Sequence, residues 1–423
     1  MNVSDADRVS LDALCDLIAV QRHPADMPEA RYVGLEHVPS GRMRWAGVGK
    51  ASDMQSHKFV FQRNDVLYGK LRPYLDKAVL ADSDGLCTTE LLVLRAKPGV
   101  SARFLACVVH APDFIAHAMA GVTGAHHPRT SWNHIAEFEL PHFDVDAQRT
   151  IAALLWRLHD LIVACEASTE SAQALKQVAM REVFTRGLRG EPQIETEFGL
   201  VPETWRSIAL KDCATVQTGV AKGRKFADAE VIDVPYLRVA NVQDGHLDLS
   251  EMKDIRIRRS EMDRYRLQTG DVVLTEGGDF DKLGRGFIWR DELNLCVHQN
   301  HVFAVRPNRT RLLPEFFAYL AQSSYGKAYF LKVAHKTTNL ACINSTKLKA
   351  FPVLIPPSLE EQSDIVTILD AIDRKINLHQ RKRAVLDELF KALLHKLMTG
   401  AIAVDELDLS ALDRTAVPEG APA

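Results

Sequence analysis

The residues best suited to act on another molecule lie in short basic and amide-bearing segments. Tyr68-Gly69-Lys70-Leu71-Arg72-Pro73-Tyr74, closing near Lys77, mixes cations and rings around a flexible glycine. The stretch from Gly124 to Trp132 adds His127 and Arg129. Further on, Lys222-Gly223-Arg224-Lys225 is a basic knot, and Glu276 to Arg285 sets Lys282 and Arg285 among glycines. Gln299, Asn300, Lys336, Thr338 and Asn339 supply amides, a hydroxyl and one more cation. Lysine and arginine neutralise phosphates and set position on a duplex, while arginine, asparagine, glutamine and glutamate distinguish base edges in the major groove. These residues are the candidate DNA contacts.

Catalytic chemistry has no comparable set. Gly284-Arg285-Gly286 is only a fragment of a G-x-G-x-x-G turn, and neither a phosphate loop nor an H-E-x-x-H helix occurs. The Asn-Pro-Pro-aromatic segment of amino-methyltransferases is absent as well. His126-His127 lacks spaced companions, so no metal and no cofactor is expected. The seven cysteines, Cys15, Cys87, Cys107, Cys165, Cys213, Cys296 and Cys342, form no C-x-x-C pair and read as reduced structural thiols. Net charge is −3, but the acidic residues Asp405, Glu406, Asp408, Asp413 and Glu419 gather at the end of the chain. What remains is nearer neutral or mildly basic. The segment MNVSDADRVS has no basic run leading into an apolar one, and no apolar run reaches membrane-spanning length, so a cytoplasmic, non-membrane protein is expected.

Positioning these loops requires more than one core in 423 residues. Landmarks recur at a spacing of roughly 200 residues. Val9-Ser10-Leu11 matches Ile208-Ala209-Leu210, and Tyr32 to Val38 matches Tyr236 to Val242, with Gly41 and Gly245 following. Asn64 to Leu67 matches Gly270 to Leu274, and Leu91 to Arg95 matches Val302 to Arg306. Short β-type runs such as Lys58 to Phe61 and Gly286 to Trp289 alternate with helical ones such as Ala102 to His110 and Pro314 to Ala321. Each copy therefore reads as a mixed α/β module of mostly antiparallel character.

Each module is followed by a long amphipathic helix. Ser358 and Glu361 form an S-x-x-E capping box, and Asp144 or Asp146 caps the first copy. The apolar stripes run through Ile151, Leu154, Leu155, Leu158, Ile162, then Leu175, Val178, Val183 and Phe184 in the first helix. In the second they run through Ile365, Ile368, Leu369, Ile372, Ile376, Leu386, Leu389, Phe390, Leu393 and Leu397. Both are broken by a polar middle, and Gly187 and Gly400 are the stops. About 40 residues at 1.5 Å each make a rod of roughly 60 Å, and a rod with one apolar stripe needs a partner. The other rod is the expected one, in an antiparallel coiled coil.

Ile355-Pro356-Pro357-Ser358-Leu359-Glu360-Glu361-Gln362, the stripe that follows, and Leu397-Met398-Thr399-Gly400 closely resemble the conserved helix of type I restriction-modification specificity subunits. Asp65 to Leu75 resembles a segment of that family's target recognition domains, and Gly199 to Trp205 resembles the lead-in to its second one. The first copy departs from the pattern, with Pro141-His142-Phe143-Asp144 in place of a double proline. The resemblance implies an α+β chain with two tandem target recognition domains separated by two long helices, packed as an antiparallel coiled coil with pseudo-twofold symmetry. Expected bounds are 1–143 and 208–357 for the domains, 144–187 and 358–400 for the helices, 188–207 for a linker and 401–423 for an acidic tail. It also implies a non-catalytic subunit that reads a bipartite site on double-stranded DNA. Two methylation subunits and the restriction subunits would assemble on it and bring the cofactors. The alternative is a coiled-coil adaptor that reads no DNA; an enzyme with its own active site is the third class.

Overall fold

The computed structural model describes residues 8–124, 126–226, 230–336 and 341–407, apart from the side chain of Asp281. The chain divides into two compact units, one built from residues 1–168 and 379–423 and the other from Thr169–Leu378. Each has its own cores.

In the first unit a four-stranded antiparallel sheet runs in the order Cys15–Ile18, Leu91–Ala96, Val66–Gly69, Ala78–Leu80. Its two central strands are apolar at every position that matters, because both faces are covered. Side chains alternate across a strand. Val66, Tyr68, Leu92 and Leu94 therefore point to the helices Ala102–His110 and Pro112–Ala120, in one core with Phe104, Phe114 and Phe138. Leu67, Leu91 and Val93 face the other way, onto Val33, Phe61 and Val79 of a second core. A five-stranded sheet closes that side, and within it Arg31–Val33 pairs in parallel with Gly85–Cys87.

The second unit repeats the order with different residues: Ala214–Thr218, Val302–Pro307, Val272–Thr275, Gly286–Ile288. Val272, Leu274, Phe303 and Val305 face the helices Pro314–Gln322 and Ser324–Val333, with Phe316, Phe317, Phe330 and Phe351 buried among them. Val273, Val302 and Ala304 face a smaller core around Trp289. Here too the second sheet holds one parallel pair, Val231–Leu237 with Val297–His298. Each large side chain fully buried this way stabilises by about 1.5–3 kcal/mol.

Two long helices, Val145–Arg186 and Leu359–Met398, follow the modules. Asp144 Oδ1 accepts from the Ala147 N–H at 2.7 Å, so Asp144 is the cap rather than Asp146. Ser358 Oγ accepts from the Glu361 N–H at 3.1 Å, which is one half of the expected box. The Glu361 side chain is buried instead, where desolvation, and after it Glu191, raise its carboxyl pKa. Gly187 and Gly400 follow the helices at φ 60 and φ 69, the left-handed geometry that glycine adopts freely.

The stripes bury less than their spacing suggests. Ile151, Leu155, Leu158, Ile162, Ile365, Leu369 and Ile376 are buried, while Ile372, Leu386 and Leu393 are only partly so. Leu175, Val178, Ile368 and Leu389 are exposed, and Leu394, which lies off the expected stripe, is buried. Core membership gives the reason. Leu394, Leu397 and Met398 enter the first unit's helix-side core beside Ile151, Leu154 and Leu155, and Ile365 and Leu369 enter the second unit's beside Val183, Phe184 and Trp205. The polar middles are held by charge. In the first unit Glu166 receives Arg42 and, at 3.0 Å, Arg383, with Asp387 3.2 Å from Arg383. In the second, Asp373 lies 2.7 Å from Lys176 and 2.8 Å from the Tyr319 hydroxyl.

A glutamine joins each helix to its module. Gln148 Oε1 accepts from the Ser101 N–H at 3.0 Å and its amide donates to Phe143 O at 2.9 Å. Gln362 does the same for the Leu313 N–H at 2.9 Å and Arg311 O at 3.0 Å.

Candidate nucleic-acid interface

The sheet edge that carries the candidate loops is set by a buried ion pair in each unit. Asp65 accepts from Nε and Nη2 of Arg95 at 2.8 and 2.7 Å and also caps the turn through the Gln62 N–H at 2.7 Å. Asp271 holds Arg306 at 2.7 and 2.8 Å and the Gln268 N–H at 2.8 Å. The two carboxylates are 2% and 1% exposed. Charge-assisted, bidentate bonds of this kind hold geometry as well as contribute stability. The strands that leave these turns, Val66–Gly69 and Val272–Thr275, run directly into the loops.

In the first unit the two candidate segments come together. Lys70 O accepts the Thr130 N–H at 3.0 Å, Pro128 O accepts the Arg72 N–H at 2.7 Å, and Leu71 bridges to Arg129. The Lys70 N–H in turn donates to Glu90 O at 3.1 Å, and the Glu90 carboxylate takes the Arg129 guanidinium at 2.9 and 3.3 Å. Lys70 and Arg72 make no ion pair with a described residue and are partly exposed; Tyr74 and His127 are exposed beside them. Arg72 and Asp76 take left-handed backbone, φ 52 and φ 48, and Asp76 meets the His110 ring at 2.6 Å. Lys77 differs from its neighbours. Its Nζ donates to Leu35 O at 2.7 Å, so it closes the loop rather than facing outward.

In the second unit Glu276 occupies the place of Lys70. Its N–H donates to His301 O at 3.0 Å and its carbonyl accepts the Ile343 N–H at 2.8 Å. Gly277–Gly278, Ala341–Cys342 and His335–Lys336 form a small sheet here, with Lys336 exposed on it. The Glu276 carboxylate meets the ring of the exposed His301 in a hydrogen bond of 2.5 Å. The basic knot joins from the other side. Val220 donates to His298 O at 2.7 Å and accepts from the Asn300 N–H at 2.9 Å, which sets Gln299 and Asn300 beside the turn of Lys222 to Lys225. Gly219 is required there, since a Cβ would fall 2.0 Å from His298 O. Lys222 and Lys225 are exposed, Lys222 lying 5.8 Å from the Tyr236 ring. Arg224 pairs with Glu261 at 2.8 Å, a hydrogen bond that raises the arginine pKa and lowers that of the glutamate. Lys282 is paired with Asp279, and Arg285 is partly buried. Thr338 and Asn339 lie outside the described residues.

Sequence reasoning missed Glu90. The signal was available: it immediately precedes the strand Leu91–Ala96, as His301 precedes the matched strand Val302–Pro307. Among the described residues no cluster of three or more histidine, cysteine or acidic side chains could hold a metal ion, and no helix is long and apolar enough to cross a membrane.

Residues 202–388 match the family model described as type I restriction modification DNA specificity domain. The chain is similar, over this part and beyond it, to specificity subunits of type I restriction enzymes. It is 27% identical over 209 residues to the type I restriction enzyme MjaX specificity subunit of Methanocaldococcus jannaschii, a match covering 49% of this chain and 48% of that one. It is 24% identical over 279 residues to the MjaVIII specificity subunit of the same organism, covering 64% and 63%. The chain thus spans about half the length of the first relative and under two thirds of the second. In fold it is similar to the type I restriction-modification S subunit from M. genitalium, at TM-score 0.56 and 14% identity over 94% of this chain and 98% of that one. A chain from a structural study of type I R-M complex assembly is similar at TM-score 0.54 and 20% identity, covering 94% and 98%.

Proposed function

We propose that this chain is the non-catalytic DNA-reading subunit of a type I restriction-modification complex, each module reading one half of a bipartite site. The observation that carries the proposal is the pair of loop assemblies. Lys70, Arg72, Tyr74, His127 and Arg129 gather on one module and Lys222, Lys225, Glu276, Gln299, Asn300, His301 and Lys336 on the other, each held on a rigid backbone frame. Cations at the rim would fix the duplex through its phosphates, and the amides, Glu276 and Arg72 would read base edges. In this reading the helices pair as an antiparallel, pseudo-twofold coiled-coil spacer. Half-site centres would then lie of order one helical turn, about 34 Å, apart. Two methylation subunits and the restriction subunits would assemble on the chain in the cytoplasm and bring the cofactors their chemistry needs.

The test is to sequence genomic DNA for modified adenines with this chain present and with it deleted. A bipartite motif that disappears on deletion is expected and supplies both half-sites. If no motif changes while the partner methyltransferase is expressed, the proposal is wrong.

A further inference from the structure

The strongest concentration of cations in the second unit lies outside the loops that sequence reasoning selected. Between Lys253 and Arg266 the chain carries Lys253, Arg256, Arg258, Arg259, Arg264 and Arg266 against three acids, Asp254, Glu261 and Asp263. All six cations are exposed. The strand Lys253–Arg258 lies at the edge of its three-stranded sheet. Ile255 and Ile257 pack inward with Val234 and Tyr236, which turns Arg256 and Arg258 to the opposite face.

Ion pairing accounts for only half of this charge. Arg256 holds Asp233 across the strands at 3.0 Å, Lys253 holds Glu251 at 3.3 Å, and Arg259 lies 3.9 Å from Glu230. Arg258, Arg264 and Arg266 make no ion pair with a described residue, and Arg264 lies 5.1 Å over the Tyr265 ring. Glu261 ties the edge to the basic knot. It pairs with Arg224 and accepts the Arg258 N–H at 3.4 Å, while Gln217 donates to Arg264 O. The edge strand in the same place in the first unit, Gly49–Lys50, carries one cation, Lys50.

We propose that this arginine-rich edge, continuous with Lys222 and Lys225, is a phosphate-contact surface for duplex DNA that only the second unit has. The proposal rests on the DNA-reading function above. Unpaired guanidinium groups match phosphate geometry by donating two bonds at once. A protein partner fits less well. Protein interfaces centre on buried aromatic or aliphatic anchors, and no large apolar side chain between Lys253 and Arg266 is exposed.

The experiment measures binding of a mixed-sequence duplex by the full chain, purified with its co-expressed partners, across a salt series. It compares the unsubstituted chain with the combined variant Arg258→Gln, Arg264→Gln, Arg266→Gln. Each phosphate contact contributes ~0.9 to the slope of log K against log salt, so the variant should lose ~2 to 3 from that slope. Thermal melting should match the unsubstituted chain, since the three side chains are exposed. An unchanged slope with intact DNA binding overturns the surface alone. Loss of co-purifying subunits at an unchanged slope would assign the patch to a protein partner, which also overturns it. Absence of salt-dependent duplex binding by the unsubstituted complex would instead sink the DNA-reading function.

Discussion

The two loop assemblies share their main-chain bonds and invert their charges. Lys70 and Glu276 occupy the same place in the hydrogen-bond pattern, donating to the residue before the central strand and accepting from the last loop to close. One is a cation and the other an anion. The residue before that strand is acidic in the first unit, Glu90, and a histidine in the second, His301. Even the aromatic packing differs. Ala81 and Trp289 both donate to the carbonyl of the buried aspartate, at 2.9 and 2.8 Å, yet one side chain is a methyl and the other the largest there is. Main-chain bonds depend little on side-chain type, so a frame made of them can stay constant while the surface it presents changes. That separation suits a module whose partner varies.

The largest effect should come where the frames differ in packing. Trp289 is fully buried, and Trp289→Ala should cost about 3–5 kcal/mol. Chemical denaturation followed by hydrogen exchange should show the loss in second-unit peptides only; equal loss in both units would mean the cores are not independent. Next, Asp65→Ala and Asp271→Ala should each cost about 2 kcal/mol through the lost charge-assisted bonds. A difference of more than about 1.5 kcal/mol between them, wider than the spread of hydrogen bonds to charged groups, would show that the two ion pairs do unequal jobs. In recognition, Arg72→Ala should cut discrimination at one half-site by ~10-fold or more and leave the other untouched, with Glu276→Ala doing the reverse. Competition binding with duplexes altered in one half-site would expose any crosstalk.

The smallest effect concerns acid. His298 is buried, and desolvation lowers its pKa below the ordinary 6.5. The folded second unit therefore binds fewer protons than its unfolded chain once pH drops below about 6.5, and its stability falls from there down through the lowered value. The matched position in the first unit is Cys87, whose thiol burial pushes still further from ionising. Mild acid should thus increase proteolysis of the second unit before the first, and His298→Cys should remove the difference. A second unit that still yields first after that substitution would place the acid response elsewhere.

Much of this comparison is legible in the sequence because turns and strands carry local signals. Asn64-Asp65 and Gly270-Asp271 mark the same turn, with Asn64 at φ 72 and Gly270 at φ 93, and the apolar runs that follow are central strands. Helix caps are local too, which is why Asp144 and Ser358 could be named. Pairings made by distant segments could not be. Nothing in Lys77 announces that its amine closes on Leu35, and nothing in Arg129 announces Glu90. The exposed face of Leu175, Val178, Ile368 and Leu389 misleads for a related reason. Helical spacing shows that a stripe exists but not which part of it a module covers. The arginine edge escaped because its charges alternate with core isoleucines along a strand and so form no run.

The glutamine at the start of each long helix has a mechanical consequence. Gln148, through the Ser101 N–H, and Gln362, through the Leu313 N–H and Arg311 O, bond each helix to the loop before its module's first core helix, so a module cannot turn about its helix without breaking these bonds. A helix advances 1.5 Å and turns about 100° per residue. One residue added to either helix would thus rotate whatever lies beyond it far more than it would displace it. Only insertions near a whole number of turns would keep the phase, so changes of length in these helices should be tolerated in steps rather than singly.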